Sequence, residues 1–144
     1  FSPIVDGSQV IFHVGGHDDA YWRLLTWLWG RRGCLLIVEQ DVVVGEGCLD
    51  VLEACEWPWC CVAVPRHNPP HELLTHSLGC VRFSAELIDA EPDAMEEAGR
   101  FMNGLPPGHW AHLDTAVYET LTRRGYVPHV HHDPVIHLPK PACG

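Results

Sequence analysis

Basic residues are scarce in this chain, since Lys and Arg number 9 against 19 Asp and Glu, and the formal net charge is −10 at pH 7. Proteins that hold a nucleic-acid backbone obtain much of their affinity from Lys and Arg on the phosphates. The composition therefore argues against nucleic acid as a partner. It leaves open a small phosphorylated ligand that is held through a metal ion.

Long apolar runs and recognisable cysteine motifs are also missing. No run is long enough to cross a bilayer and no signal peptide is visible, so we expect no membrane span. The seven Cys are odd in number and irregularly spaced, without a C-x-x-C or H-E-x-x-H motif. This pattern predicts a reducing, cytoplasmic location without a disulfide framework, and it argues against a structural zinc site.

The apolar content is sufficient for one core. Of the 144 residues, 47% are hydrophobic, and six are Trp, which is many for this length. We therefore expect a folded single domain over residues 1–144. The Trp content and the short core favour a homodimer.

Apolar patterning and turn residues predict an α/β fold. A first strand, a helix that ends at a Gly followed by two Arg, and a second strand form a predicted βαβ unit. Residues 1–8 are predicted to be a loop. The predicted strands are 9–14, 34–38, 59–64, 78–83, 126–130 and 135–138, and the predicted helices are 20–29, 48–55, 85–90, 93–103 and 113–124.

The most informative stretch is the apolar run 34–38, which stops at Glu39 and Asp41 before a second apolar run begins. A run without polar alternation is typical of a strand that is buried on both faces, and ligands of open α/β sheets bind at the carboxyl ends of such strands. In an extended backbone the two carboxylates would point to the same side. Such oxygen donors suit Mg²⁺ or Mn²⁺ and a substrate with phosphates. The alternative interpretation is a turn with solvated carboxylates.

Three further positions are candidates for the same chemistry. His137 lies in an apolar segment where a polar ring needs a partner, so it is the preferred imidazole ligand for a metal, and His131 is second. Asp114 lies at the start of the last long predicted helix. There it can stabilise the helix N-terminus, act as a general base toward a hydroxyl, or do both.

The apolar strand that ends in Glu39-Gln40-Asp41 resembles the metal-binding strand of GT-A fold glycosyltransferases, whose motif is usually Asp-x-Asp. The segment Trp110-Ala111-His112-Leu113-Asp114 is similar to their acceptor-side helix, which carries an acidic base in its first turn, and His137 matches a late His that often completes their metal site. The resemblance spans about residues 9–140.

The resemblance implies a compact, GT-A-like (Rossmann-like) mixed sheet flanked by helices. It also implies a nucleotide-diphosphate sugar as donor. Glu39 and Asp41 would face the metal (Mn²⁺ or Mg²⁺) and the ribose-phosphate part of the donor. Asp114 would take the proton from an acceptor hydroxyl.

Three functional interpretations follow. The first is a metal-dependent glycosyltransferase of the inverting type, because a candidate base is present. The second is another metal-dependent sugar-nucleotide enzyme, although the Gly-rich, basic signature of nucleotidyltransferases is missing. The third is a non-catalytic module, either a degenerate transferase-like domain or a His-rich metal-binding protein.

Overall fold

The computed structural model describes residues 4–6, 9–12, 19–65, 73–102, 112–133 and 135–138. Within these ranges the chain is a mixed α/β protein, which confirms the predicted class. The helices are α1 (Ala20–Gly30), α2 (Cys48–Ala54), α3 (Ala85–Ala90), α4 (Ala94–Met102) and α5 (Leu113–Arg123). The strands are β1 (Ile4–Asp6), β2 (Gln9–Ile11), β3 (Leu35–Val38), β4 (Val42–Val44), β5 (Trp59–Val62), β6 (Val64–Pro65), β7 (Leu73–Leu74), β8 (Cys80–Phe83), β9 (His129–His131) and β10 (Val135–His137).

A four-stranded mixed sheet has the order β3-β8-β5-β9. Strand β8 is antiparallel to both β3 and β5, while β9 is parallel to β5. Strands β3, β5 and β9 therefore run in the same direction, and their carboxyl ends meet at one edge of the sheet. The short strands β4 and β10 form a separate antiparallel pair.

The predicted βαβ unit is wrong in two respects. Strand β2 pairs with β1 in a small sheet of its own, and β1 itself occupies residues that were predicted to be a loop. Strand β3 lies at an edge of the four-stranded sheet, and none of its residues is fully buried. A continuous apolar run is a local signal, whereas the position of a strand in a sheet depends on distant partners.

Alternate residues of the central strands belong to two different buried cores, one on each face of the sheet. In β5, Trp59 and Cys61 belong to the larger core, and Cys60 and Val62 belong to the smaller one. Helices α1, α3, α4 and α5 cover the larger core, while α2 contributes to the smaller one. Because both faces are covered, all four residues of β5 are buried, which explains its apolar sequence.

Polar contacts hold the helices of the larger core together. Trp22 Nε1 donates to the carbonyl of Met95 at 2.7 Å, and Trp29 Nε1 donates to that of Glu91 at 2.8 Å, so α1 is fixed to α4 and to the segment before it. Arg124, which follows α5, pairs with Glu91 at 2.6 Å and with Glu97 at 2.5 Å. These contacts fix the direction of α5 and hence the place of its first turn. No helix in the described part of the chain is long and apolar enough to cross a membrane.

Candidate functional site

A tight turn joins β3 to β4 and carries the predicted acidic pair. The amide of Val42 donates to the carbonyl of Glu39 at 3.0 Å, which closes a four-residue turn, and the amide of Glu39 donates to the carbonyl of Gly79 at 2.9 Å. The prediction of an extended backbone through Asp41 is therefore wrong, because β3 ends at Val38. The turn lies at the carboxyl end of β3, as the sequence predicts.

Asp114 lies in the first turn of α5, where the backbone amides favour a negative charge. Its Oδ1 accepts a hydrogen bond from the amide of Thr115 at 2.8 Å. The residue before the helix is His112, whose side chain makes no capping hydrogen bond. Burial raises the pKa of Asp114, while the hydrogen bond from Thr115 and the charge of His76 act in the opposite direction. Asp114 thus supports the helix start and is also a carboxylate in a partly desolvated setting.

Tyr21, in the first turn of α1, connects these acidic residues. Its hydroxyl donates to Glu39 Oε1 at 3.1 Å. Burial raises the pKa of Tyr21 well above its usual value, and the nearby charges of Glu39, Asp114 and Asp41 raise it further. The charges of all three predicted carboxylates therefore act on one phenol, although the carboxylates come from two distant parts of the chain. We call Glu39, Asp41 and Asp114, with Tyr21, the carboxylate cluster.

His76 adds a titratable group beside this cluster. It lies shortly before β8, and its charge affects the pKa of Asp114. Its ring also packs against Tyr118 of α5, with ring centroids 4.9 Å apart. His76 therefore contributes to the electrostatic environment of Asp114.

The backbone of His137 lies next to the acidic turn. His137 pairs with Val42 across β10 and β4, and the amide of the following Leu138 donates to the carbonyl of Asp41 at 2.7 Å. The side chain of His137 lies outside the described part of the structure. The main chain therefore brings the preferred histidine to Asp41, and the role of its ring as a ligand stays a prediction.

His131, the second predicted ligand, has different neighbours. A ring nitrogen of His131 and the sulfur atoms of Cys55 and Cys60 all lie within 4.8 Å of one another. The two cysteines form a disulfide, so the prediction of a chain without a disulfide framework is wrong at this pair. His129 Nδ1 lies 3.3 Å from the Cys55 sulfur. We call Cys55, Cys60, His129 and His131 the cysteine-histidine cluster.

A small cavity lies beyond the ends of β5 and β9, at the carboxyl edge of the sheet. Its volume is about 180 Å³. Two of its lining residues, His132 and Asp133, are polar and follow β9 directly. The other lining residues are Ala63, Pro65, Leu73 and Val135.

The donor chemistry of the carboxylate cluster suits a hard divalent cation. Glu39 and Asp41 provide carboxylate oxygens, which Mg²⁺ and Mn²⁺ prefer over sulfur. Both side chains are partly exposed, so a ligand from solvent has access to them. The cluster lies where ligands of α/β sheets usually bind, outside the carboxyl ends of the strands.

Sequence reasoning missed Tyr21 and His76 as members of this site. Tyr21 is one of several aromatic residues in an apolar helix, and His76 is one of several histidines near a proline-rich stretch. Tyr21 is the second residue of α1, and His76 lies four residues before β8, the strand that pairs with β3. Their contacts depend on the packing of α1 and α5, which no local pattern specifies.

Comparisons with known proteins give no further assignment. Neither the protein-family models, nor the curated proteins, nor the solved structures contain a match to this chain.

Proposed function

We propose that the chain is a metal-dependent glycosyltransferase that moves a sugar from a nucleotide-diphosphate donor to an acceptor hydroxyl, with a GT-A-like fold and an inverting mechanism. The observation that carries the proposal is the carboxylate cluster, in which Tyr21 donates to Glu39 and is also influenced by the charges of Asp41 and Asp114. A transferase of this type needs metal-binding carboxylates and a separate base near them. The cluster provides both kinds of group at the carboxyl edge of the sheet.

In this proposal Asp41, Glu39 and His137 hold Mn²⁺ or Mg²⁺. A bound divalent cation would neutralise the diphosphate and stabilise the charge that grows on it as it leaves. Tyr21 keeps Glu39 in place through its hydrogen bond, and its raised pKa keeps the phenol protonated as a donor. The backbone contact between Asp41 and Leu138 keeps the two ends of the metal site together.

Asp114 is the proposed general base. It removes the proton from the acceptor hydroxyl while that oxygen attacks the anomeric carbon from the face opposite the diphosphate. The bond from the anomeric carbon to the diphosphate breaks as the new glycosidic bond forms, so the configuration inverts. Burial makes Asp114 a stronger base than a solvated carboxylate, because it raises the pKa.

The first experiment is a calorimetric titration of UDP and of GDP, each with and without Mn²⁺, into the wild-type chain and the Asp41→Ala variant. We expect binding that requires the metal and is absent from the variant. Binding of the metal without any response to either nucleotide would overturn the proposal. In that case the chain is better described as a metal-binding module.

The cysteine-histidine cluster is the specific observation in favour of that second candidate. It provides soft ligands away from the acidic turn, so a chain that binds metal only there needs no nucleotide. A metal-binding module predicts that Asp41→Ala and Asp114→Asn have no effect on metal affinity.

A further inference from the structure

We propose that the cysteine-histidine cluster is a second metal site, which binds Zn²⁺ when Cys55 and Cys60 are reduced and is closed when they form a disulfide. The site is separate from the acidic turn, and its ligands differ in kind from carboxylates. Whether this site holds a metal ion then depends on whether Cys55 and Cys60 are reduced.

Distances within the cluster fit a tetrahedral ion. Zinc lies about 2.3 Å from a thiolate and about 2.0 Å from an imidazole nitrogen, so two such ligands in a tetrahedral site are about 3.5 Å apart. The Cys55 sulfur and His129 Nδ1 are separated by 3.3 Å. The ring nitrogen of His131 and both sulfurs lie within 4.8 Å of each other, so these three atoms can share one ion. His129, whose Nδ1 lies near the Cys55 sulfur, is the candidate fourth ligand.

A buried nitrogen in the cluster lacks a partner. His131 Nε2 is inaccessible to solvent and makes no hydrogen bond with any of the described residues. An unpaired polar atom in such a place is costly.

Arg82 supplies positive charge beside the sulfur atoms. Its side chain is buried, with 7% of the residue exposed, and no described carboxylate forms an ion pair with it. The guanidinium donates to the Cys60 sulfur at 3.3 Å and to the carbonyls of Leu52, Cys55 and Trp57. A thiolate at Cys60 would balance this buried charge. Arg82 also fixes the loop that carries Cys55.

The sheet register explains why these residues meet. Cys60 pairs with Arg82 on one side and with His129 on the other, so the three side chains form a row across β8, β5 and β9. His131 lies two residues further along β9 and hence on the same face. Cys55 follows the end of α2 and closes the site from above this face.

A dithiol reductant can convert the disulfide form of the cluster into the reduced form that binds Zn²⁺. Two electrons and two protons pass from the dithiol to the Cys55–Cys60 bond, which becomes two thiols, while the reductant becomes a cyclic disulfide. Binding of Zn²⁺ then releases the two thiol protons. Oxidation by a disulfide reagent reverses the exchange and expels the ion.

Cobalt titration tests this proposal directly. The chain is reduced with a phosphine, freed of metal with a chelator, and titrated with Co²⁺ without oxygen. We expect a thiolate-to-cobalt absorption band that saturates at one ion per chain and disappears when Zn²⁺ is added. The oxidised chain is expected to show no band.

Cys55→Ser is expected to lower the Co²⁺ affinity more than about 100-fold. Loss of a residue that only hydrogen-bonds to a metal ligand typically costs about 10–100-fold in affinity, and loss of a ligand itself costs more. Cys34→Ser is the matched control, since Cys34 is a free and exposed thiol outside the cluster. A reduced wild-type chain without the band, or a Cys55→Ser chain that keeps it, would overturn the proposal. The comparison of oxidised and reduced wild-type chains decides the question even if the variant does not fold.

Discussion

The carboxylate cluster and the cysteine-histidine cluster use the same sheet in different ways. The first lies in a turn and at a helix start, where Glu39 and Asp41 remain partly exposed. The second lies mainly on a strand face, where Cys60 is fully buried and His131 has an inaccessible nitrogen. Cys55, His129 and His131 are partly exposed like the acidic residues, so the two clusters differ mainly in ligand chemistry and in the buried Cys60.

This difference suggests a division of roles. Oxygen ligands in a turn suit a hard cation that takes part in substrate binding, and sulfur and imidazole ligands on a strand face suit Zn²⁺. If the division is correct, each cluster can be disabled without effect on the other. Substitutions in each cluster and in the helix packing test this division.

The largest effect is expected for Asp114→Asn. Sugar transfer, followed as nucleotide release from a panel of nucleotide sugars with candidate acceptors, should fall about 10²–10⁴-fold, because the base is lost. Nucleotide affinity should not change. Since burial raises the pKa of Asp114 above 3.8, and the base must be ionised, the wild-type rate should fall as the pH is lowered through that raised pKa. Equal loss of binding and transfer would contradict the role of Asp114 as a base.

The next effect separates the two metal sites. Asp41→Ala should lower Mn²⁺-dependent nucleotide affinity more than about 100-fold, because an ion ligand is removed. The same variant should keep the thiolate-to-cobalt band, while Cys55→Ser should keep nucleotide affinity. Calorimetry measures the nucleotide affinity of both variants, and absorption spectroscopy measures the thiolate-to-cobalt band of both. Loss of both functions in either variant would show that the clusters are not independent.

Gly99→Ala should reduce stability without a specific effect on either cluster. A Cβ at this position would lie 2.6 Å from Trp22 Cε2 and 2.9 Å from Trp22 Nε1, and the ring is held by its hydrogen bond to Met95. We expect a loss of about 1–3 kcal/mol in the free energy of unfolding, measured by urea denaturation. Gly30→Ala is the control, because nothing lies within 4 Å of the added carbon. Similar stability of the two variants would contradict the packing described for α1 and α4.

Tyr21→Phe should have the smallest effect. Loss of the hydrogen bond to Glu39 should weaken Mn²⁺-dependent nucleotide binding about tenfold, as for other groups that orient a metal ligand. Tyr126→Phe removes a similar contact with Glu91, which lies outside the cluster, and should leave nucleotide affinity unchanged. Both affinities are available from the same titration. A Tyr21→Phe chain with wild-type affinity would exclude Tyr21 as a positioning residue.

Local signals in the sequence predicted most helices and the place of the acidic turn. Helix α3 has the predicted bounds, because Ser84 accepts a hydrogen bond from the amide of Leu87 and begins the helix. Strand β3 ends immediately before Glu39, as its apolar run indicates. These features depend on residues that are neighbours in the chain, so they can be predicted from a single sequence.

Strand pairing and the cysteine-histidine cluster were not predictable in the same way. The pairing of β3 with β8 brings together segments that are far apart in the chain, and no residue pattern selects one partner. The row of Arg82, Cys60 and His129 follows from the register of three strands. The seven cysteines and His131, the second predicted imidazole ligand, are the sequence signals for the cluster, but the cysteine spacing does not match a known metal motif.

The most direct test of the proposed transferase site is electron paramagnetic resonance of Mn²⁺ with the chain and with UDP or GDP, with nucleotide and metal alone as the blank. Binding of metal and nucleotide at one site requires that each raise the affinity for the other by the same factor. We predict that one nucleotide increases Mn²⁺ binding in the wild-type and Cys55→Ser chains and has no effect in Asp41→Ala. Mn²⁺ binding that neither nucleotide changes in the wild-type chain would contradict the account.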